Sequence, residues 1–165
     1  MLLYLLRHGI AEDHGSRDRD DERELTAEGK EKTKRIMQAV RAMKFLPPAL
    51  VISSPLIRAV QTADIACKEF AREAQRMTSD ALIPSADIVS TMSLLADHIK
   101  DQTPVMVVGH EPHLSTFASA LLGSDHSIIE MKKAALAKFE LYRLEVPRMR
   151  GFLTALITPS ISNLI

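Results

Sequence analysis

The stretch Leu2-Leu3-Tyr4-Leu5-Leu6-Arg7-His8-Gly9 decides the fold of this chain. Five apolar residues are followed at once by an arginine, a histidine and a glycine. A short run that is apolar at every position is typical of a central strand in a parallel sheet, because helices cover both faces of such a sheet. The run therefore predicts a buried strand over residues 2–7, with Arg7 and His8 at its carboxyl end.

Two further apolar runs also end in polar groups. Leu50-Val51-Ile52 leads into Ser53-Ser54-Pro55, and Pro104-Val105-Met106-Val107-Val108 leads into Gly109-His110-Glu111-Pro112. The segments between these runs have apolar residues at helical spacing. The pattern therefore predicts two more parallel strands, each with polar residues directly after its carboxyl end.

In parallel α/β sheets the ligand crevice lies outside the carboxyl ends of the strands. If the three strands are neighbours, Arg7, His8 and His110 converge in that crevice, and Arg58 reaches it from the first turn of the helix after the second strand. Two arginines and two histidines are a suitable set for binding a compact anion.

The rest of the chain completes an α/β pattern. The alternation of strands and helices predicts a three-layer sandwich with a mostly parallel central sheet, helices on both faces and a terminal strand hairpin, all in a single domain over residues 1–165. The remaining predicted elements are a helix capped by Thr26, a helix from Pro55, an edge strand within 77–84, helices near 86–100 and 113–122, and hairpin strands over 134–145 and 151–158.

Composition excludes several classes of protein. The formal net charge of the 165 residues is zero, which argues against a nucleic-acid-binding protein. No apolar stretch reaches the ~20 residues that a membrane span needs, so no membrane partner is expected. Cys67 is the single cysteine and cannot form an internal disulfide, which favours a reducing, cytoplasmic location.

The four converging side chains suit phosphoryl transfer. The guanidinium groups of Arg7 and Arg58 match phosphate oxygens and can neutralise the charge that spreads over them in the transition state. A neutral imidazole is a competent nucleophile near pH 7, and the arginines should keep His8 unprotonated. Its other ring nitrogen then needs an acceptor such as a backbone carbonyl, while His110 can donate a hydrogen bond to the phosphoryl group.

Four segments in order resemble the motifs of the histidine phosphatase superfamily, the phosphoglycerate mutase-like proteins. They are Arg7-His8-Gly9, Leu25-Thr26-Ala27-Glu28-Gly29, Ser53-Ser54-Pro55-Leu56-Ile57-Arg58-Ala59-Val60-Gln61-Thr62-Ala63, and Val108-Gly109-His110-Glu111-Pro112. The tripeptide alone is a weak signal, but four segments spanning most of the chain form a specific one.

The resemblance implies a metal-independent phosphatase with no organic cofactor. It makes His8 the phosphohistidine intermediate and places Arg7, Arg58 and His110 in the phosphate pocket. Only about 50 residues separate Arg58 from His110, which is close to the minimum for the connecting elements. The chain therefore resembles the compact bacterial phosphohistidine phosphatases of the SixA type. This resemblance implies that the substrate is a phosphohistidine-bearing protein, such as a signalling or phosphotransfer domain.

The chain departs from the larger members, which supply a glutamate from an inserted region as general acid. No clear equivalent is evident, although Asp87, Glu12 and Asp13 are candidates. Asp87 is equally explained as a residue at a helix N-terminus, and the other two as members of a mobile loop. A missing acid should impair ester hydrolysis more than release of imidazole, which is the better leaving group. Phosphohistidine is therefore the favoured substrate.

Three functions remain as hypotheses. The first is a phosphohistidine phosphatase, the second a phosphomonoesterase acting on a small metabolite, and the third a non-catalytic phosphate-binding interaction module. Among the other polar residues, Ser53 and Ser54 are interpreted as turn and capping residues rather than nucleophiles. The run 17–24 predicts a solvated loop, with contact to a partner as the alternative. Lys132 and Lys133 either steer anionic substrates or flank the strand that follows them, and the second interpretation is favoured.

Overall fold

The computed structural model describes residues 1–98 and 104–160, which form a six-stranded sheet packed against four α-helices. The strands are β1 (Leu2–Arg7), β2 (Leu50–Ser53), β3 (Gln75–Thr78), β4 (Val105–Gly109), β5 (Leu136–Arg143) and β6 (Arg150–Ile157). The helices are α1 (Ala27–Ala42), α2 (Ile57–Glu69), α3 (Ile88–His98) and α4 (His113–Leu121). Single turns of 3-10 helix lie at Asp20–Glu22 and Asp80–Leu82.

The strand order is β3-β2-β4-β1-β5-β6. The four strands from β3 to β1 are mutually parallel, and β5 and β6 are antiparallel additions on the far side of β1. The predicted mostly parallel sheet with a terminal hairpin is confirmed. β1 and β4 lie at its centre, as expected for strands that are apolar at every position.

The two faces of β1 pack against different helices. Leu3 and Leu5 lie in a core cluster with apolar residues of α3 and α4, whereas Tyr4 and Leu6 lie in a second cluster with residues of α1 and α2. All four side chains are fully buried. Because successive side chains of a strand point to opposite faces, this division confirms a helical layer on each side of the sheet.

Several element boundaries differ from the sequence prediction. α2 begins at Ile57 rather than Pro55, because Leu56 has extended backbone angles and its amide donates to Ser54 Oγ at 3.3 Å. The edge strand predicted within 77–84 lies earlier, at Gln75–Thr78. The helix expected near 86–100 starts at Ile88, and positions 99 and 100 of that prediction lie outside the described residues.

The start of α1 is packed tightly against the loop that follows β1. Thr26 caps the helix as predicted, with its hydroxyl accepting from the Gly29 amide at 3.0 Å. A Cβ atom at Gly29 would overlap the backbone of Ile10, so only glycine allows this approach. None of the helices within residues 1–98 and 104–160 has both the length and the apolar character that a membrane span requires.

Candidate active site

The carboxyl ends of three neighbouring strands lie level with one another. Arg7 at the end of β1 pairs with Gly109 of β4, and Ser53 at the end of β2 pairs with Val108. The backbone continues this alignment past the strands, because the His8 amide donates to the Gly109 carbonyl at 3.0 Å. Residues far apart in sequence therefore leave the sheet at one edge, as the strand pattern predicts.

A cavity of about 320 Å³ opens at this edge of the sheet. It brings together all four residues that the sequence predicts to converge, and the ring centroids of His8 and His110 are only 4.9 Å apart. His8 is 7% exposed, Arg58 3% and His110 1%. Its charged and titratable lining residues are Arg7, His8, Glu12, Asp13, His14, Asp20, Arg23, Arg58, His110, Glu111 and Lys133.

The ring of His8 is held in one tautomer by its own backbone. Its Nδ1 atom lies 2.7 Å from the carbonyl oxygen of Gly9. Because a carbonyl oxygen can only accept, Nδ1 carries the proton and the lone pair of Nε2 is free. Burial lowers the pKa of His8 to about 3, and the charges of Arg58 and Arg7 contribute to this shift. The ring is therefore neutral at pH 7, although burial is a larger cause than the arginines.

His110 has no hydrogen-bond partner on either ring nitrogen within the described chain, although both nitrogens are buried. Burial lowers its pKa to about 2, and the neighbouring His8 and Arg58 lower it further. A neutral imidazole has one N–H donor and one acceptor nitrogen. Buried polar groups are almost always paired, so His110 is poised to bond a ligand in the cavity.

Both arginines are anchored at one end and unpaired at Nε. Arg7 donates from Nη1 to the Met131 carbonyl at 2.7 Å, and Arg58 donates from Nη1 to the Asp20 carbonyl at 2.8 Å. The Nε atoms of both are buried and lack a partner among the described residues. A phosphoryl group offers the acceptor oxygens that these donors and the N–H of His110 require. The cavity is therefore suited to a compact oxyanion.

Asp20 ties the loop between β1 and α1 to this site. Its carboxylate accepts from Arg58 Nη2 at 3.1 Å and from Arg23 Nε at 2.8 Å. Arg23 is only 7% exposed and also donates to the Glu12 carbonyl, so the prediction of a solvated loop over residues 17–24 is wrong at this residue. The roles of Asp20 and Arg23 cannot be predicted from the sequence. A loop of mixed charge has the same sequence pattern whether it is solvated or packed against the cavity.

Two side chains of α2, Thr62 and Gln61, bond to the segment after β1 and to the segment before α1. The Thr62 hydroxyl accepts from the Gly9 amide at 3.1 Å and donates to the Arg58 carbonyl at 2.7 Å. Gln61 Oε1 accepts from the Leu25 amide at 2.7 Å. The residue after His8, the helix that carries Arg58 and the start of the α1 segment are thereby fixed to one another.

Comparison with known proteins agrees with this geometry. The model of the histidine phosphatase superfamily (branch 1) matches residues 3–81, which include Arg7, His8 and Arg58. The chain belongs to the histidine phosphatase superfamily. It is also 32% identical over 139 residues to an uncharacterized protein of Picosynechococcus sp. (strain ATCC 27264 / PCC 7002 / PR-6), covering 82% of each chain. Membership of the superfamily supports phosphatase activity.

Solved structures share the fold. The protein histidine phosphatase SixA, in a complex with tungstate, matches with a TM-score of 0.85 at 20% identity, covering 100% of both chains. A mycobacterial glucosyl-3-phosphoglycerate phosphatase matches with a TM-score of 0.70 at 16% identity, covering 93% of this chain and 97% of that one. The compact α/β sandwich is therefore that of SixA, as expected.

The candidate acids named from the sequence lie in different places. Asp87 is exposed, directly precedes α3 and does not line the cavity. Glu12 and Asp13 do line it, but Glu12 forms two hydrogen bonds with Arg17, at 2.8 and 2.7 Å. Hydrogen bonds from Arg17 and from the Glu24 backbone lower the pKa of Glu12 to about 2, so it is ionised at neutral pH. Asp13 is exposed on the loop.

Two charged residues of the cavity, Glu111 and Lys133, are not among the site residues predicted from the sequence. Glu111 directly follows His110 and is half-buried, and its position within the motif is the signal that could have identified it. Lys133 also lines the cavity rather than merely preceding β5. Neighbouring Lys132 forms an ion pair with Glu130. No periodicity distinguishes the two lysines, because the segment before β5 is irregular.

Proposed function

We propose that this protein is a metal-independent phosphatase that removes the phosphoryl group from phosphohistidine on another protein, through a phosphohistidine intermediate at His8. The observation that carries the proposal is the buried His8 ring, whose Nδ1–H is bonded to the Gly9 carbonyl and which faces His110 at 4.9 Å in a cavity with two arginines. Nε2 of His8 is thereby left as the nucleophile.

The four residues divide the chemistry among them. Nε2 of His8 attacks phosphorus and forms an N–P bond as the bond to the leaving group breaks. Arg7 and Arg58 use their unpaired Nε–H groups to neutralise the equatorial oxygens, and His110 donates a hydrogen bond to the same group. Water then attacks the phosphoryl group on His8 and releases inorganic phosphate.

Two features support a phosphohistidine substrate. The SixA structure that this chain matches over its full length is that of a protein histidine phosphatase. The connection between α2 and β4 holds only a short strand, a 3-10 turn and α3 among its described residues, and α3 packs on the core. The described residues of this connection contribute only Pro84 to the cavity lining and no acidic residue, so they do not obstruct a protein-borne side chain from that side.

The departing ring also suits this site. An imidazole has an unperturbed pKa near 6.5, so the phosphorylated ring can carry a proton on its second nitrogen and leave as neutral imidazole. An alkoxide leaving group has no such route and needs a proton donor in the cavity.

A phosphomonoesterase acting on a small metabolite is the second candidate. The half-buried Glu111 carboxyl in the cavity favours it, because an ester needs a proton donor. The structural match to a glucosyl-3-phosphoglycerate phosphatase is consistent with this alternative.

The deciding experiment compares kcat/KM for a phosphohistidine peptide and for an aryl phosphate ester, with His8→Ala as the control. We expect a strong preference for the phosphohistidine peptide that disappears in the variant. Equal or better turnover of the ester would favour the metabolite phosphatase. Absence of turnover on both substrates, in wild type as in the variant, would leave the non-catalytic phosphate-binding module.

A further inference from the structure

The Glu111 carboxyl lies in the phosphate cavity but is not used by the binding network. Glu111 follows His110 in the chain and lines the same cavity. Its Oε1 atom is buried and has no hydrogen-bond partner within residues 1–98 and 104–160. A buried carboxyl oxygen without a partner is costly, so a site that retains one invites a functional explanation.

Two of the other carboxylates that line the cavity are engaged by cations, and the third, Asp13, is exposed. Glu12 is bonded to Arg17, and Asp20 bridges Arg23 and Arg58. Glu111 has no such ion pair with any described residue. Glu111 is therefore a half-buried carboxyl of this cavity, and no cation among the described residues holds it in its ionised form.

The surroundings of Glu111 favour its protonated form. Burial raises the pKa of the Glu111 carboxyl, and the nearby negative charge of Glu130 acts in the same direction. Hydrogen bonding with Ser115 and the positive charge of Arg7 oppose this shift without cancelling it. The other titratable groups that line the cavity are His8, Glu12, Asp13, His14, Asp20, His110 and Lys133, together with the guanidinium groups of Arg7, Arg23 and Arg58. A carboxyl whose pKa is raised can donate a proton closer to neutral pH.

We infer that Glu111 is the general acid of the first step and the general base of the second, for substrates whose leaving atom needs a proton. This inference rests on the proposed phosphatase function. It adds a general acid, for which the sequence shows no clear equivalent of the glutamate in the larger members. The cavity is then equipped to cleave phosphoesters as well as phosphohistidine.

Glu111 gives up its proton in the first step and regains it in the second. The Nε2 lone pair of His8 forms the N–P bond, the electron pair of the broken P–O bond stays on the leaving oxygen, and that oxygen takes the Glu111 proton. The Glu111 carboxylate then takes a proton from water as the water oxygen bonds to phosphorus. The electron pair of the N–P bond returns to Nε2, and phosphate leaves, with Glu111 protonated again.

The test measures kcat/KM of wild type and Glu111→Gln on phenyl phosphate and on 2,4-dinitrophenyl phosphate. Glutamine keeps the size of the side chain and its capacity for hydrogen bonds but has no acidic proton. We expect a loss of about 10²-fold or more on phenyl phosphate, which is typical of a removed general acid. The activated ester should hardly change, because dinitrophenolate leaves without protonation. A purely structural defect would reduce both values alike.

A second measurement follows the pH dependence of the wild-type protein. The ratio of kcat/KM for phenyl phosphate to that for dinitrophenyl phosphate should fall as the pH rises through the pKa of Glu111. The ratio removes the ionisations common to both reactions. The matched control is Asp87→Asn, an exposed carboxyl outside the cavity, which should leave both the ratio and the activity unchanged.

A ratio that is independent of pH and unaltered in Glu111→Gln would overturn the role of Glu111. The phosphatase function would still stand if wild type turned over either ester and His8→Ala did not. Failure of wild type on both esters and on a phosphohistidine peptide would overturn the proposed function, and the role of Glu111 with it.

Discussion

The Nδ1 atom of His8 lies 2.7 Å from the carbonyl oxygen of Gly9, its neighbour in the chain. This short-range contact fixes the tautomer of the ring without help from any other element. It works only because the segment after β1 is held in place, by the bond from the His8 amide to Gly109 and the bond from the Gly9 amide to Thr62. Orientation of the proposed nucleophile is thus a property of the sheet edge and of α2 together.

Replacing His8 by alanine should abolish turnover while the fold is retained, because no other residue of the cavity offers a neutral nitrogen held in this tautomer. In wild type, an alkaline quench during turnover should trap an acid-labile phosphoryl group on His8, detectable by mass spectrometry. The exposed His126, which bonds only to its neighbours, gives the matched control His126→Ala. Retention of most of the activity in His8→Ala would refute the mechanism.

Arg58→Ala should lower kcat by about 10²–10³-fold, the loss typical of one donor to a transition-state anion. The reason is that the free Nε–H of Arg58 bonds to charge that increases as the phosphoryl group is transferred. Steady-state kinetics separate kcat from KM, and Arg72→Ala, at an exposed residue just beyond the end of α2, serves as control. An effect confined to KM would show that Arg58 only binds the ground state.

The free energy of unfolding should fall as the pH drops from about 6.5 towards 3. The unfolded chain protonates its histidines near pH 6.5, whereas burial lowers the pKa of His8 to about 3 and that of His110 to about 2. The unfolded state therefore binds more protons in this window, so the stability that these two rings contribute is present above pH 6.5 and is lost on acidification.

Urea unfolding of wild type and of the double variant His8→Asn, His110→Asn across this pH range checks the prediction. The variant should show a flatter dependence, and His126→Asn, which removes an exposed histidine, should match wild type. Parallel curves for wild type and the double variant would rule out the assigned shifts.

Thr62→Val should destabilise the protein by about 1–3 kcal/mol and lower kcat. The buried Gly9 amide loses its acceptor, and the peptide that orients His8 is released. Thr62→Ser, which keeps the hydroxyl, should restore most of both values. Thr154→Val provides a control because the Thr154 side chain is exposed where its hydroxyl donates to the Lys138 carbonyl. Equal stability and kcat in Thr62→Val and Thr154→Val would show that this link is dispensable.

Turnover should persist in the presence of excess chelator. The proposed mechanism relies on Arg7 and Arg58 for the charge neutralisation that metal ions provide in other phosphoryl-transfer enzymes. The measurement is the initial rate before and after dialysis against EDTA. Inhibition that added divalent metal reverses would contradict the mechanism.

The strands were the most predictable part of the chain. β1 spans Leu2–Arg7, as the apolar run predicts. A strand that is buried on both faces has apolar residues at consecutive positions, so it can be recognised in the sequence. The start of α2 was less predictable. Proline favours a first helical turn, but the bond from the Leu56 amide to Ser54 shifts that turn to Ile57.

The candidate site was predictable as far as its residues lie at strand ends. His8, Arg7 and His110 follow apolar runs, and Arg58 lies in a recognisable motif, so their convergence follows from the order of parallel strands. Asp20 and Arg23 were not predictable, because a loop carries no periodicity and its charges look the same whether solvated or folded into the cavity. For the same reason the sequence favoured a flanking position for Lys133, which lines the cavity.

The sequence by itself determined the architecture and the positions of the proposed nucleophile and of the arginines, since these depend on local pattern and on the order of elements. Only the tertiary structure decided which carboxyl stands ready to donate a proton. Four acidic residues could not be ranked as proton donors from the sequence. In the structure Glu12 is paired with Arg17, and Asp13 and Asp87 are exposed. Glu111 is half-buried and has an unpaired oxygen. Protonation depends on burial and on neighbouring charge, and both are set by contacts between residues distant in the chain.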